Sequence, residues 1–249
     1  MNPRTQIQYA KIGVLSLAHM LNDLYSNYLP QLFPFLVVLS PGFTATRATI
    51  LVSAFTFTSS MVQPLFGYFL DRKGKRWLVH VGTLWMAVML SLTGWVENYW
   101  LMVLLAALAG LGTAAFHPQA STMVNVLSGD YKAVMLSFFV AFGNVGFALG
   151  PLLLVPLFEA YGLHATAVTV IPGLFVAVLL YFYAPSNTDL SGAVPELSAV
   201  IRSLKPPPGN WRPLSGSLRS VHCPIPECWR LCPCTSSRKI YPTLRRAIC

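Results

Sequence analysis

The sequence predicts an all-α membrane protein built as a bundle of six transmembrane helices. Three observations favour this fold class: 55% of the 249 residues are hydrophobic, only 10% are charged, and the apolar residues are gathered into six long runs. Each run has the roughly 20 residues that a helix needs to cross a bilayer, and backbone groups at such lengths are satisfied in lipid by helices. The predicted spans are residues 12–39, 48–70, 77–96, 99–126, 133–158 and 165–184.

The charges predict the orientation of these spans. The net charge is +9, but the cations fall on alternate loops and do not form one basic face, which argues against a nucleic-acid partner. The cations predicted on the cytoplasmic side are Arg4, Lys11, Arg72, Lys73, Lys75, Arg76, Lys132, Arg202 and Lys205, with Arg47 alone on the other side. Residues 1–11 are therefore predicted to be a cytoplasmic N-terminus. The first apolar run is too long for a cleaved signal peptide and contains Asp23, so we expect it to remain as a span.

The first span carries a polar stripe. Residues spaced three and four apart, and so predicted on one helix face, are His19, Asn22, Asp23, Ser26, Asn27 and Pro30. A carboxylate near the middle of a span costs about 2.5–3.5 kcal/mol on insertion scales, so this face is expected to look into the bundle or a wet cavity. A hydrogen-bond network that only packs the helix is the alternative. Pro30 and Pro34 are expected to loosen the outer half of the span.

Two further spans show polar stripes of their own. In span two the stripe is Ser53, Thr56, Ser60, Gln63 and Gly67, with a kink expected at Pro64. Hydroxyls of this kind often bond back to their own helix, which is the alternative for each of them singly. In span four the shared face is Gly110, Thr113, His117, Ser121 and Asn125. His117 therefore looks inward, where it can exchange a proton or serve only as a structural hydrogen-bonding group.

Span five combines Asn144 with a groove of small residues, Gly143, Gly146, Gly150 and the following Pro151. Gly146 and Gly150 form a GxxxG pair, which favours close helix contact. Spans three and six lack a central polar stripe and are expected to be peripheral. The order of lining, lining, peripheral predicts a three-plus-three repeat with a cavity between spans one, two, four and five.

Spans two and three are joined by the sequence Gly67-Tyr68-Phe69-Leu70-Asp71-Arg72-Lys73-Gly74-Lys75-Arg76. Its four cations favour the cytoplasmic side, and Gly74 permits the positive φ of a tight reversal. An ordinary positively charged loop is one interpretation. The other is a family signature, because the spacing G-x-x-x-D-R-x-G-(K/R)-(K/R) resembles the loop between the second and third helices of major facilitator superfamily transporters.

Residues 10–185 resemble the N-terminal half of such a transporter, and more closely the fosmidomycin-resistance branch of bacterial drug exporters. The motifs that carry the resemblance are His19-Met20-Leu21-Asn22-Asp23, the loop from Gly67 to Arg76, Gly110-Leu111-Gly112, Phe116-His117-Pro118 and the stretch from Gly143 to Pro151. Gly146, Gly150 and Pro151 are similar to the fifth-helix motif of proton-coupled antiporters. The sequence departs from that motif at Ser137 and at Leu154-Val155, where the motif prefers glycine.

The resemblance implies alternating access and the export of small molecules in exchange for protons. Asp23 is the first choice for the protonated carboxylate, with His117 and His19 beside it. The residues expected to line the cavity are Asn22, Asn27, Thr56, Gln63, Thr113 and Asn144. The resemblance also implies a gating loop made of Gly67, Asp71, Arg72, Gly74, Lys75 and Arg76, in which Asp71 and Arg72 latch the cytoplasmic side against the second half of a twelve-helix transporter.

The composition changes abruptly after a cytoplasmic loop at 185–205. Residues 206–249 are rich in Pro, Arg and Ser, contain all five cysteines and include no apolar run long enough for a span. We expect a reading-frame change or truncation there, with a disordered tail as the alternative. The cysteines are Cys223, Cys228, Cys232, Cys234 and Cys249, whose irregular spacing gives little support to a zinc site.

The predicted partners are a small-molecule substrate, protons, the lipid bilayer of a bacterial inner membrane, and a second half or second copy that completes the carrier. No cofactor and no metal site is predicted. A membrane enzyme is disfavoured because no nucleophile motif accompanies His19 or His117, and the loop signature argues against a channel or scaffold. The remaining alternatives are an inactive transporter fragment and a proton-coupled carrier of small organic anions or sugars.

Overall fold

Helices make up most of the chain that the structure describes, which in this computed structural model comprises residues 7–39, 42–70 and 76–185. No strand occurs among these residues. The helices are α1 (Tyr9–Ser26), α2 (Tyr28–Leu39), α3 (Ala45–Met61), α4 (Gln63–Leu70), α5 (Trp77–Ser91), α6 (Tyr99–Leu127), α7 (Lys132–Tyr161) and α8 (Val170–Tyr183). Two short 3-10 segments, Leu92–Trp95 and Leu163–Thr169, follow α5 and precede α8.

Within the described ranges, five helical stretches are long and apolar enough to cross a membrane, and they match predicted spans two to six. They are Ala45–Gly67, Trp77–Trp95, Tyr99–Leu127, Lys132–Tyr161 and Leu163–Tyr183. The first predicted span is present as two helices, α1 and α2, which meet at Asn27. Pro30 has no N–H to donate to the carbonyl of Ser26, the last residue of α1, so the break lies where the proline removes a helical hydrogen bond.

The helix ends are set by a few local residues. Thr44 begins α3, because its hydroxyl oxygen accepts a hydrogen bond from the backbone N–H three residues later, at 3.3 Å. Asn98 begins α6 in the same way. Its side-chain oxygen accepts hydrogen bonds from the backbone N–H groups of Trp100 and Leu101, at 2.9 and 3.1 Å. Gly162 ends α7 with a φ of 70°, a conformation that favours glycine.

The bundle pairs the first three spans with the last three. α1 packs against α7 and α8, α3 packs against α6, and α5 packs against both α6 and α8. The contact between α5 and α6 depends on Gly82 and Gly112, because a Cβ on either one would run into the backbone oxygen of the other. Close backbone approach of this kind is how helices associate in lipid, where the hydrophobic effect does not drive them together.

The spans differ in how much of their surface this bundle covers. In span three, which we expected to be peripheral, half of the most apolar window is buried, because α5 lies between α6 and α8. The corresponding fractions are 17% for span two and 28% for span five. Spans two and five, two of the four spans predicted to line a cavity, therefore have the largest open faces of these five stretches, whereas span four, also predicted to line it, is 56% buried.

The chain divides into two units, Met1–Leu197 and Ser198–Cys249, and all described residues belong to the first. The predicted loop beyond Pro185 and the tail at 206–249, with its five cysteines, lie outside the described residues.

Candidate functional site

The centre of the candidate site is a histidine and an aspartate one helical turn apart on α1. Residues four apart on a helix are neighbours, so His19 and Asp23 meet on its surface. Nε2 of His19 lies 3.4 Å from Oδ2 of Asp23. The His19 side chain is 8% exposed and that of Asp23 is 21% exposed, so the carboxylate is the more accessible end of the pair.

A second histidine reaches the same carboxylate from α6. Nε2 of His117 lies 3.5 Å from Oδ1 of Asp23, on the oxygen that His19 does not face. The two imidazole rings are nearly perpendicular, with centroids 5.0 Å apart. One carboxylate is thus flanked by two imidazoles contributed by different helices.

The backbone of α7 fixes the orientation of His19. Nδ1 of His19 lies 2.8 Å from the carbonyl oxygen of Phe139, and the Phe139 ring stacks on the imidazole at 4.1 Å with an interplanar angle of 12°. Because a carbonyl oxygen only accepts, Nδ1 carries a hydrogen and donates it. In the neutral form of His19, Nε2 then has no hydrogen and points a lone pair at Asp23.

This geometry makes the pair a place for one extra proton. A bare Nε2 opposite an ionised carboxylate would set two acceptors against each other, whereas a proton on either group turns the contact into a hydrogen bond or an ion pair. The polar atoms of His19, Asp23 and His117 all lie within 4.8 Å of one another, and in the described part of the chain they form the one group at a spacing where a small cation could also be shared. The family resemblance implied that both histidines lie beside Asp23, whereas a cation shared between the three side chains was not predicted.

Glycine at position 143 allows α7 to lie directly on this pair. A Cβ built at Gly143 would overlap Oδ2 of Asp23 and the imidazole of His19. The next glycine on the same side, Gly146, is equally close to the backbone of Met20, where a Cβ would overlap the carbonyl group. α1 and α7 can approach this closely only while these two positions lack side chains.

The spacing of the polar residues in the first span predicted that they share one helix face. In the structure they do not. Asn22 points to α5, where its amide donates to the hydroxyl of Thr83 at 3.3 Å, while His19 and Asn27 point to α7 and Asp23 points to α6. Asn22 and Asp23 are adjacent in sequence and therefore about 100° apart around the helix, which a stripe drawn at spacings of three and four conceals.

Three of the residues expected to line a cavity instead join helices of this bundle. Asn22 is fully buried against α5, and Asn27 is 8% exposed and bonded to α7. Thr113 is 3% exposed, and its hydroxyl donates to the sulfur of Met86 at 2.8 Å. In this structure their side chains do not lie on an open surface.

The other three predicted lining residues are accessible. Thr56 and Asn144 are exposed on α3 and α7, and Gln63 is partly exposed at the start of α4. The hydroxyl of Thr56 donates to the carbonyl of Val52 in its own helix at 2.9 Å. The prediction that Thr56 lines a cavity therefore depends on its position, since its hydrogen bond is already satisfied locally.

Of the predicted gating loop, Gly67 and Arg76 can be placed. Asp71, Arg72, Gly74 and Lys75 lie outside the described residues. Arg76 precedes α5, and its guanidinium donates to the carbonyl oxygen of Tyr181 near the end of α8. This contact holds the loop end of α5 against the last helix of the bundle.

Sequence reasoning found the three ionisable residues of the site but not the groups that orient them. Phe139 contributes a backbone carbonyl and a ring, and Gly143 contributes the absence of a side chain. A backbone acceptor leaves no mark on the sequence. The small residues of span five are the available signal, but their pattern predicts only a groove for helix packing and gives no link to His19.

The sequence of the chain matches one family model and is similar to several known proteins. A family model described as Major Facilitator Superfamily matches residues 15–229. The chain is 32% identical over 182 residues to the fosmidomycin resistance protein of Escherichia coli (strain K12), which covers 71% of this chain and 43% of that protein. It is 28% identical over 182 residues to an MFS-type transporter, YfnC, of Bacillus subtilis (strain 168), covering 71% of this chain and 44% of that one.

A third relative is the multidrug resistance protein MdtG of Salmonella paratyphi A, 31% identical over 162 residues, which cover 63% of this chain and 40% of that protein. The matched part of this chain thus spans less than half the length of each of these curated relatives.

Proposed function

Since the chain belongs to the major facilitator superfamily, we propose that it takes part in moving a small molecule across a membrane by alternating access, coupled to protons, and that the molecule is a drug. Relatives named for fosmidomycin resistance and multidrug resistance support the export of drugs. As a multi-pass membrane protein it would act as a carrier in the bacterial inner membrane.

The observation that carries proton coupling is the carboxylate of Asp23 between two imidazoles. Nδ1 of His19 is committed to the Phe139 carbonyl at 2.8 Å, so the contact between Nε2 and Asp23 is favourable only when the pair holds a proton. The side chains of His117 and Asp23 are 23% and 21% exposed, which supports access of a proton to the pair.

The mechanism follows from the cost of charge in lipid. Loss of the proton leaves a net negative charge on the pair, which is costly wherever the surroundings are dry and tolerable where the site opens to water. Protonation removes that charge, so it shifts the population toward the state in which the site is closed. A proton entering from one side and leaving to the other would bias the two access states and drive exchange.

Completion of the carrier requires further helices. The open faces of α3 and α7, with Thr56 and Asn144 exposed on them, are where a second half or a second copy would pack and close a cavity. In that assembly the loop residues Asp71 and Arg72 would latch the cytoplasmic side, with the N-terminus on the same side.

The test is drug tolerance in a fosmidomycin-sensitive bacterial strain from which drug exporters have been deleted. Expression of the chain is expected to raise the tolerated drug concentration. Asp23→Asn, which keeps the shape but cannot carry the charge, is expected to reduce tolerance to that of the empty vector while the protein remains in the membrane fraction.

Asp130→Asn is the matched control, because Asp130 is an exposed aspartate between α6 and α7, away from the site, and its replacement should leave tolerance unchanged. If the wild-type chain raises no tolerance, export by this chain, alone or as two copies, is disproved. If Asp23→Asn exports as well as wild type, proton coupling at Asp23 is disproved and transport stands. A loss of export on adding a membrane-permeant chelator would show that a cation, not a proton, occupies the site.

A further inference from the structure

A proline inside α7 leaves one backbone carbonyl without its helical donor. Pro151 has no N–H, so the carbonyl oxygen of Phe147, four residues earlier, cannot accept the hydrogen bond that continues the helix. Inside a membrane no water replaces that bond, and an unsatisfied carbonyl is costly. The carbonyl must find another donor or destabilise the helix.

The donor comes from the break in the first span. Nδ2 of Asn27 donates to the Phe147 carbonyl at 2.9 Å, and the Asn27 residue is 8% exposed. The backbone N–H of Asn27 donates to the carbonyl of Asp23 at 3.2 Å. This bond ties Asn27 to the helical turn that carries the site. Gln31 donates to the other end of the Asn27 amide at 3.4 Å.

Two side chains therefore bond to α7 in the same register, that of His19 in α1 and that of Asn27, the residue that follows α1. His19 bonds to the carbonyl of Phe139, and Asn27 bonds to the carbonyl of Phe147; each bond joins residues 120 positions apart. The helices run parallel, and a slip of one relative to the other would break both bonds together. Gly143 lies between the two bonds, against Asp23.

We propose that Asn27 is a positioning residue for the His19–Asp23 pair, because by satisfying the carbonyl that Pro151 leaves without a donor it fixes the register of α1 against α7. That register is the one in which Nδ1 of His19 meets the Phe139 carbonyl. The role in proton coupling rests on the proposed function, whereas the register itself does not.

The test uses the purified full chain with nitrogen-15 histidine, in which NMR reports the tautomer of each ring. The His19 signal is assigned by its disappearance in His19→Gln. Wild type is expected to show His19 with hydrogen on Nδ1. Asn27→Ala is expected to lose this fixed tautomer and to melt at a lower temperature, because the Phe147 carbonyl has no donor.

The decisive variant is Asn27→Ala combined with Pro151→Ala. Alanine at 151 restores the N–H that Phe147 needs, so the double variant is expected to recover the melting temperature. It should not recover the fixed tautomer, because the bond from residue 27 that sets the register of α1 against α7 is still missing. Pro156→Ala is the matched control: it restores an N–H in the same helix but opposite a different carbonyl, and in combination with Asn27→Ala it should rescue nothing.

If Asn27→Ala does not fold, the Pro151→Ala background supplies the comparison, and there the loss of the Asn27 amide should still release the fixed His19 tautomer. Recovery of that tautomer in the double variant overturns the proposal. A lower melting temperature of Asn27→Ala with an unaltered tautomer overturns the proposal, as does rescue by Pro156→Ala. Absence of the Nδ1 tautomer in wild type contradicts the proton site itself, which separates failure of the proposed function from failure of the register.

Discussion

At the scale of single residues, the two histidines beside Asp23 differ in what they can do. His19 is buried, and its Nδ1 is bonded to a backbone carbonyl. The orientation of the ring is therefore fixed, and Nε2 is the nitrogen that faces Asp23. His117 is more exposed, at 23%, and meets the other carboxylate oxygen. We infer that His19 sets the geometry of the pair, while His117 lies on the path by which a proton reaches it.

His19→Asn separates these two functions of His19. The asparagine amide can reproduce the donor at the position of Nδ1 but has no atom at Nε2, so the bond to the Phe139 carbonyl can persist while the contact with Asp23 is lost. The melting temperature should stay close to wild type, and drug tolerance should fall to the empty-vector level. Thermal unfolding and a tolerance assay check this; full tolerance in His19→Asn would contradict a role for Nε2.

The ionisable residues of the site could be predicted from the sequence, since an aspartate and two histidines inside apolar runs are conspicuous. The neighbouring helix that each polar side chain contacts could not be predicted. The spacing of α1 placed Asn22 and Asp23 on one face, but the structure points them at different helices. Which neighbour a polar side chain faces depends on helix rotation, and that is set by close contacts such as those at Gly143 and Gly146.

At the scale of the helices, prolines produce different results in different places. The first span breaks at Asn27, three residues before Pro30, and the second breaks at Val62, two residues before Pro64, as the sequence predicted in outline. α6 nevertheless continues without interruption through Pro118, and α7 through Pro151. At Pro151 the reason is visible, because a side chain of another helix replaces the missing donor.

Gly146→Ala tests the contact between α1 and α7 as a unit. The added methyl group would overlap the carbonyl of Met20, and backbone gives way less easily than the end of a flexible side chain. We expect a destabilisation of about 1–3 kcal/mol, the usual cost of overpacking. Thermal unfolding in detergent measures it, with Gly13→Ala as the control, since a Cβ there meets nothing within 4 Å. Equal stability of the two variants would contradict the close contact.

At the scale of the whole molecule, the distribution of charge predicts which ends of the spans face the cytoplasm. If the N-terminus is cytoplasmic, the turn after α6 is cytoplasmic and the turn before it is external. Single cysteines at Asp130 and Glu97 report these two sides, after the five tail cysteines are replaced by serine. In intact cells a membrane-impermeant maleimide should label Glu97→Cys and spare Asp130→Cys, and the reverse pattern would invert the proposed orientation.

The large open faces of α3 and α7 also belong to this scale. Only 17% of the relevant window of span two is buried, although its composition is as apolar as a spanning helix requires. A sequence predicts that such a helix crosses the membrane but not how much of it meets protein, because lipid and protein interiors are equally apolar.

The proposed proton site is divided between the two halves of the bundle. His19 and Asp23 come from the first three spans, whereas His117 and the Phe139 carbonyl come from the last three. If the two triplets descend from one duplicated ancestor, a solitary ancestral triplet would have had to pair with a copy of itself to assemble such a site. The chemistry would then be younger than the fold of either triplet, and fusion into one chain would have freed the two copies to diverge, one toward the carboxylate and the other toward its support.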